Sequence, residues 1–186
     1  MKILNLPNIL TVTRAFLIPI IIIGAYSDKT LMLGLTIFLL VIAWVSDYID
    51  GTIARKYNLI TNFGTFFDPI VDKILILSLF FTFADLKLIP MWMPLLLLFR
   101  EFFTTGIREF ASLKGKIVGS NWMGKTKWNG QMILVTYTLL FLWARSLNYT
   151  LTLGREIIYF GTFIIVLSSF IFTFIFFWWN RNLFLE

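Results

Sequence analysis

Long apolar runs separated by short polar connectors dominate this chain. The first run covers Ile9–Ala25 and ends at a turn, Ser27-Asp28-Lys29. The second covers Thr30–Ala54; its first half is lipid-compatible and its second half carries acidic residues. After a connector at Tyr57–Thr61, a third helix begins between Asn62 and Pro69 and continues to Ala84. Pro69 marks either its start or a kink, because proline lacks an N–H and clashes with the preceding turn. Asp85–Pro90 reads as a turn and Trp92–Leu113 as a fourth helix, with Pro94 tolerated in its first turn. A polar connector, Lys114–Asn121, precedes a fifth helix from Gly124 to Ala144. Arg145–Arg155 is a turn region, Glu156–Trp179 a sixth helix, and Asn180–Glu186 a tail. Six runs of about 20 residues are long enough to cross a bilayer. The pattern predicts an all-α fold: an integral membrane bundle of six transmembrane helices. No polar linker, low-complexity tract or repeat divides it, so a single domain over 1–186 is expected.

Composition sharpens this picture. The chain is 59% hydrophobic, against about 45–50% apolar in ordinary soluble domains. Arg14 and Pro19 interrupt the first run, which argues against a signal peptide. The net charge of +6 suits anionic lipid headgroups or phosphorylated substrates. The membrane composition argues against nucleic acid as a partner. With no Cys, disulfides are excluded. Trp92, Trp143, Trp178 and Trp179 fall near span ends, where indole rings anchor at the membrane interface. With the amino terminus inside, twelve Lys and Arg residues lie on the inner side and four on the outer. Lys29, Lys87, Arg145 and Arg155 are the outer four. The bias predicts cytoplasmic termini in the cell's inner (plasma) membrane.

Against that apolar background stands one acidic stretch. Asp47, Asp50, Asp68 and Asp72 are four of the ten acidic residues. Asp47 and Asp50 are spaced i, i+3 and Asp68 and Asp72 i, i+4, so each pair shares a helix face. An Asp at the centre of a membrane helix costs about 2.5–3.5 kcal/mol, so carboxylates there pair, line a wet cavity or bind cations. Only Arg55, Lys56 and Lys73 are near in sequence. Two helices each offering two carboxylates suit a pair of hard divalent ions, Mg2+ or Mn2+. With neither His nor Cys, a zinc site lacks its usual ligands. Taken singly, these acids also read as helix-end residues, and Asp68 before Pro69 as an N-cap.

The whole stretch reads D-x2-D-G-x2-A-R-x8-G-x3-D-x3-D, with Gly51, Ala54, Arg55 and Gly64 beside the carboxylates. It resembles the signature of the CDP-alcohol phosphatidyltransferases. The resemblance implies that family's helical membrane fold, a homodimer, and transfer of a phosphatidyl group from a CDP-linked lipid to an alcohol with release of CMP. It implies that Asp72 is the catalytic base and that Asp47, Gly51, Ala54, Arg55 and Gly64 surround the CDP-lipid. Small residues there leave room for the nucleotide. Two metals would hold the pyrophosphate and stabilise the leaving oxygen.

Two further segments bear on the acceptor. Arg100, Thr104 and Arg108 recur every four residues within REFFTTGIR, and GKTK follows at Gly124–Lys127. Arg100, Arg108 and Lys125, on the same inner side as the acidic motif, suit a phosphate, with Arg giving bidentate contacts. The alternative is interfacial snorkelling or binding of anionic membrane lipids. Near the start, PNILTVTR resembles the glycerol-3-phosphate-using branch of the family through Pro7, Asn8, Thr11 and Arg14. There the alternative is that Asn8 caps a helix and Arg14 snorkels. Lys127 is a further candidate. These resemblances point to phosphatidylglycerophosphate synthases, which join CDP-diacylglycerol and glycerol 3-phosphate. Rival readings are a sister enzyme using inositol phosphate, serine or phosphatidylglycerol, and a divalent-cation transporter.

Overall fold

The computed structural model describes residues 5–56, 61–114, 122–149 and 152–181. Among them are six helices and no strand: α1 (Leu6–Ala25), α2 (Thr30–Lys56), α3 (Asn62–Asp85), α4 (Trp92–Leu113), α5 (Trp122–Ser146) and α6 (Gly154–Trp179). The all-α expectation holds, and the boundaries shift by a few residues. Helix α1 starts three residues before Ile9 because Asn5 caps it, its side chain accepting from the Asn8 N–H at 3.2 Å. Helix α3 begins at Asn62 and runs through Pro69. Helix α5 begins at Trp122, so GKTK lies inside it. The connector segments 57–60 and 115–121 lie outside the described residues, as do 150–151 of the last turn region and 182–186 of the tail.

Among the described residues, three helices are long and apolar enough to cross a membrane, over Asn8–Ala25, Thr30–Asp47 and Gly154–Trp179. The others carry more charge within their length, such as Asp68, Asp72 and Lys73 in α3 or Arg100, Glu101, Arg108 and Glu109 in α4. Large apolar side chains face outward along the helices, including Phe16, Leu31, Phe102 and Phe174. Such outward apolar surface is that of a membrane protein, whose solvent is lipid.

The chain forms two compact units. The first comprises 1–82 and 135–152; the second comprises 83–134 and 153–186. In the first unit α1 packs on α2. The buried face of α1 reads Asn8, Thr11, Arg14, Ile18, Ile21, Ala25, steps of three and four residues that keep one stripe inward. That stripe is polar in its first half and apolar in its second. Gly24 lets the helices approach, since a Cβ there would collide with the Thr36 hydroxyl. The start of α2 is tied to the end of α5, where Ser146 Oγ donates to Thr30 Oγ1 at 3.0 Å.

In the second unit α4 packs on α6. The buried stripe of α4 is Met93, Leu97, Arg100, Thr104, Ile107 and Ala111. That of α6 includes Gly154, Thr162, Ser169 and Thr173. Small residues let these backbones come close, as membrane helices require when lipid supplies no hydrophobic drive.

Two helix ends share one solution. At the end of α3 the Leu88 N–H donates to Phe83 O and the Lys87 N–H to Ala84 O, both at 3.0 Å. Lys87 adopts φ 60°. Asn148 does the same after α5, with φ 61°. This is the Schellman arrangement, in which a left-handed residue lets the chain satisfy the last carbonyls. Asparagine accepts that conformation more readily than lysine. Lys87→Gly is therefore expected to raise the Tm of the purified protein, by removing about 1 kcal/mol of left-handed strain; thermal unfolding in detergent checks this.

Candidate active site

The acidic motif is assembled within the first unit by three helices. Helix α2 carries Asp47; α3 carries Asp68 and Asp72; α1 supplies their partners. Arg14 Nη1 donates to Asp47 Oδ1 at 2.8 Å and to Asp72 Oδ1 at 2.6 Å. The Arg14 side chain is 2% exposed, while those of Asp47 and Asp72 are 26% and 22% exposed. Three residues earlier on the same face, Thr11 Oγ1 donates to Asp68 Oδ1. Asn8, three residues earlier again, accepts from Thr61 Oγ1 at 3.0 Å through its own Oδ1. Thr61 in turn accepts from the Gly64 N–H at 3.0 Å, which caps α3.

This geometry corrects two readings of the α1 motif. Asn8 is not a helix cap: Asn5 has that place, and Asn8 is buried one turn on. Arg14 does not snorkel to the interface: its guanidinium is enclosed and shared between two carboxylates. Arg14 is the cation that the carboxylates lacked in sequence, 33 residues from Asp47 and 58 from Asp72. The signal for it was the inward stripe of α1, which places Arg14 on the same face as Ile18 and Ile21.

Gly64 has a local reason to be glycine. A Cβ there would lie 2.7 Å from Asn8 Oδ1 and 3.3 Å from Thr61 Oγ1. The space is taken by α1 and by the cap of its own helix. The backbone of Asp50, Gly51, Ala54 and Arg55 forms the last turns of α2, and Lys125 lies in the first turn of α5. The side chains of these five lie outside the described residues. Among the described residues, no three acidic side chains are gathered tightly enough to form a ready-made metal cage. The described carboxylates instead converge on α1, two of them on a single positive nitrogen.

The second unit holds the other predicted cluster. Arg100, Thr104 and Arg108 lie on one face of α4. Arg100 Nε donates to Thr173 Oγ1 at 2.7 Å and to Ser169 O at 3.3 Å. Its Nη1 donates to Glu101 Oε1 at 2.7 Å. Lys127 Nζ pairs with the same Glu101 oxygen. Thr104 Oγ1 donates to Arg100 O at 2.9 Å and touches the Thr173 hydroxyl. The snorkelling alternative fails for Arg100, which is 8% exposed and tied to α6. Glu101 escaped the sequence reading because it stands between two cations that were expected to meet a phosphate. Arg108 differs: its guanidinium lies over the Phe176 ring at 5.5 Å, and its Nε is buried without a hydrogen-bond partner. Beside Arg100, Phe99, Phe103, Phe170, Phe174 and Phe177 line an apolar groove.

Similarity to known proteins now bears on these two clusters. A family model described as CDP-alcohol phosphatidyltransferase matches residues 4–180. The chain belongs to the CDP-alcohol phosphatidyltransferase family. A relative from Rickettsia felis, named CDP-diacylglycerol–glycerol-3-phosphate 3-phosphatidyltransferase, is 36% identical over 166 residues, covering 89% of this chain and 92% of its own. A relative of the same name from Bacillus subtilis is 37% identical over 148 residues, covering 73% and 77%. Another from Escherichia coli K12 is 31% identical over 140 residues, covering 73% and 76%. The matched residues include the Asp47–Asp72 stretch, which resembles the family's signature, so the assembled acidic cluster of this CDP-alcohol phosphatidyltransferase is its candidate active site.

Gly64→Ala is expected to push the Asn8 amide off Thr61 and to lower the Tm, with an overpacking cost of about 1–3 kcal/mol. Adding Asn8→Ala should recover part of the loss. Thermal unfolding of the two single variants and the double variant checks this, and additive losses would sink the steric account.

Proposed function

We propose that this chain transfers the phosphatidyl group of CDP-diacylglycerol to sn-glycerol 3-phosphate, giving phosphatidylglycerophosphate and CMP. The observation that carries the reading is the meeting of Asp47 and Asp72, from α2 and α3, on one buried cation. The names of the relatives support the choice of donor and acceptor. In this reading all six helices span the plasma membrane of a homodimer and the acidic cluster faces the cytoplasm. The bias of Lys and Arg supports that orientation.

The donor set fits hard divalent ions in kind. Its ligands are carboxylates on two helices, and two of them already turn their oxygens to one positive charge. Asp47, Asp50, Asp68 and Asp72 would hold two ions, Mg2+ or Mn2+. When bound, such ions supply charge to the pyrophosphate and to the departing CMP oxygen. Asp72 takes the proton of the acceptor hydroxyl as that oxygen bonds to the phosphatidyl phosphorus and the bond to CMP breaks. Asp47, Gly51, Ala54, Arg55 and Gly64 bind the CDP-lipid. Arg108 binds the acceptor phosphate with Lys125, and its unpartnered Nε supports that role. Arg100, Thr104 and Lys127 complete the acceptor side, with Glu101 holding both cations in place.

The direct test is CMP release from CDP-diacylglycerol in the presence of glycerol 3-phosphate, inositol phosphate, serine or phosphatidylglycerol, with and without Mg2+. Release should require glycerol 3-phosphate and the metal. Release with another alcohol would reassign the acceptor, and metal flux into liposomes without CMP release would replace the enzyme by a transporter. Asp72→Asn should lower kcat by about 100- to 10,000-fold, the range of general-base catalysis, with CDP-lipid binding kept. Arg108→Ala should raise the KM for glycerol 3-phosphate about tenfold or more, as loss of a charged hydrogen bond of about 1.5–3 kcal/mol predicts. An unchanged KM would remove Arg108 from the acceptor site.

A further inference from the structure

The mechanism leaves one buried charge without a task. Arg14 lies on α1, outside the acidic motif, yet Asp47 Oδ1 and Asp72 Oδ1 both bond to its Nη1. We propose that Arg14 is a built-in competitor of the divalent cations for the carboxylates of Asp47 and Asp72, and so sets how tightly those cations bind. The inference rests on the reading of the acidic motif as a divalent-cation site.

The reasoning is electrostatic. Magnesium binds carboxylate oxygens at about 2.0–2.1 Å. Arg14 Nη1 is 2.6 Å from Asp72 Oδ1 and 2.8 Å from Asp47 Oδ1. A cation on either oxygen would therefore meet the guanidinium across a single atom. One charge is double and the other single, and both are positive. Arg14 is 2% exposed, so water and salt screen that repulsion poorly. Nor can arginine discard its charge by losing a proton, as a buried lysine can. Either the guanidinium gives up the shared oxygens or the cation binds weakly.

The opposite cost explains why an arginine is there. Two carboxylates on neighbouring helices repel each other and lose solvation when packed together. Arg14 neutralises one of the two charges and gives each carboxylate a charge-assisted hydrogen bond. Thr11 gives Asp68 a neutral donor instead. The arrangement therefore assembles the carboxylates without metal and leaves them negative enough to attract it.

Binding of Mn2+ to the full-length protein in detergent, read by loss of the free-ion electron paramagnetic resonance signal, tests this independently of turnover. Arg14→Met keeps the stem and removes the charge. It should tighten Mn2+ binding about tenfold or more, the size of effect a like charge in contact produces. It should also lower the Tm without metal and enlarge the rise in Tm on adding Mn2+. Arg14→Lys, which keeps a charge but one that burial can discharge by loss of a proton, should fall between. If Arg14→Met folds only with Mn2+ present, the competition stands. If both variants bind Mn2+ no tighter than the unsubstituted protein, Arg14 merely positions the ligands and the proposal is overturned. If the unsubstituted protein binds no Mn2+ at all, the metal reading itself fails, and this inference fails with it.

Discussion

A guanidinium enclosed among membrane helices must be paired, and the first unit is arranged around meeting that demand. Arg14 is almost inaccessible. An unpaired charge there would cost several kcal/mol, on the order of the 3–5 kcal/mol lost when a buried ion pair is broken. Asp47 and Asp72 meet the demand from two different helices, so one side chain fixes the rotation of α1 against both α2 and α3. The steps from Asn8 to Thr11 to Arg14 then give each successive residue on that face its own partner. Asn8 reaches the cap of α3, Thr11 reaches Asp68, and Arg14 reaches Asp47 and Asp72. Below them the face turns apolar at Ile18 and packs in the ordinary way. The acidic cluster is thus the point where a polar half-stripe of α1 meets the polar ends of α2 and α3.

The second unit treats charge with the signs exchanged. Glu101 is the anion that accompanies two buried cations, Arg100 and Lys127. The Thr173 hydroxyl and the Ser169 carbonyl on α6 serve the rest of Arg100. Each polar atom removed from water in this seam is costly; Thr104, Thr173 and Ser169 O bond to Arg100 or to one another, while Ser169 Oγ is buried without a partner. Arg108, about two turns beyond Arg100 along α4, keeps a buried N–H without a partner. That asymmetry separates a cation whose N–H groups are bonded within the seam from one whose buried Nε is not. The face of α4 that looks uniform in sequence is chemically graded along its length.

Gly64 shows how one residue can answer to two demands. Its spacing before Asp68 belongs to the stretch that resembles the family signature. In the fold, the nearest atoms to an added Cβ are those of Asn8 and Thr61. Close approach of α1 is therefore enough to require glycine, whatever else the position does. The family signature and the α1 motif are joined physically at this position.

Much of the fold was legible because its determinants are local. Length and uninterrupted hydrophobicity announce a helix in a membrane, since backbone groups there must bond within their own segment. Helix existence and order followed from that, and only the ends moved, where a cap such as Asn5 or the tolerance of Pro69 within α3 decides. Spacing along α2 and α3 likewise put the carboxylates on common faces, because helical periodicity is a property of the chain alone. Partnership across helices is not. The counter-ion of Asp72 lies 58 residues away. Glu101 beside Arg100 could have faced solvent, lipid or lysine with the same letters. Which charge meets which depends on how the helices rotate and pack, and burial then makes that choice costly to reverse.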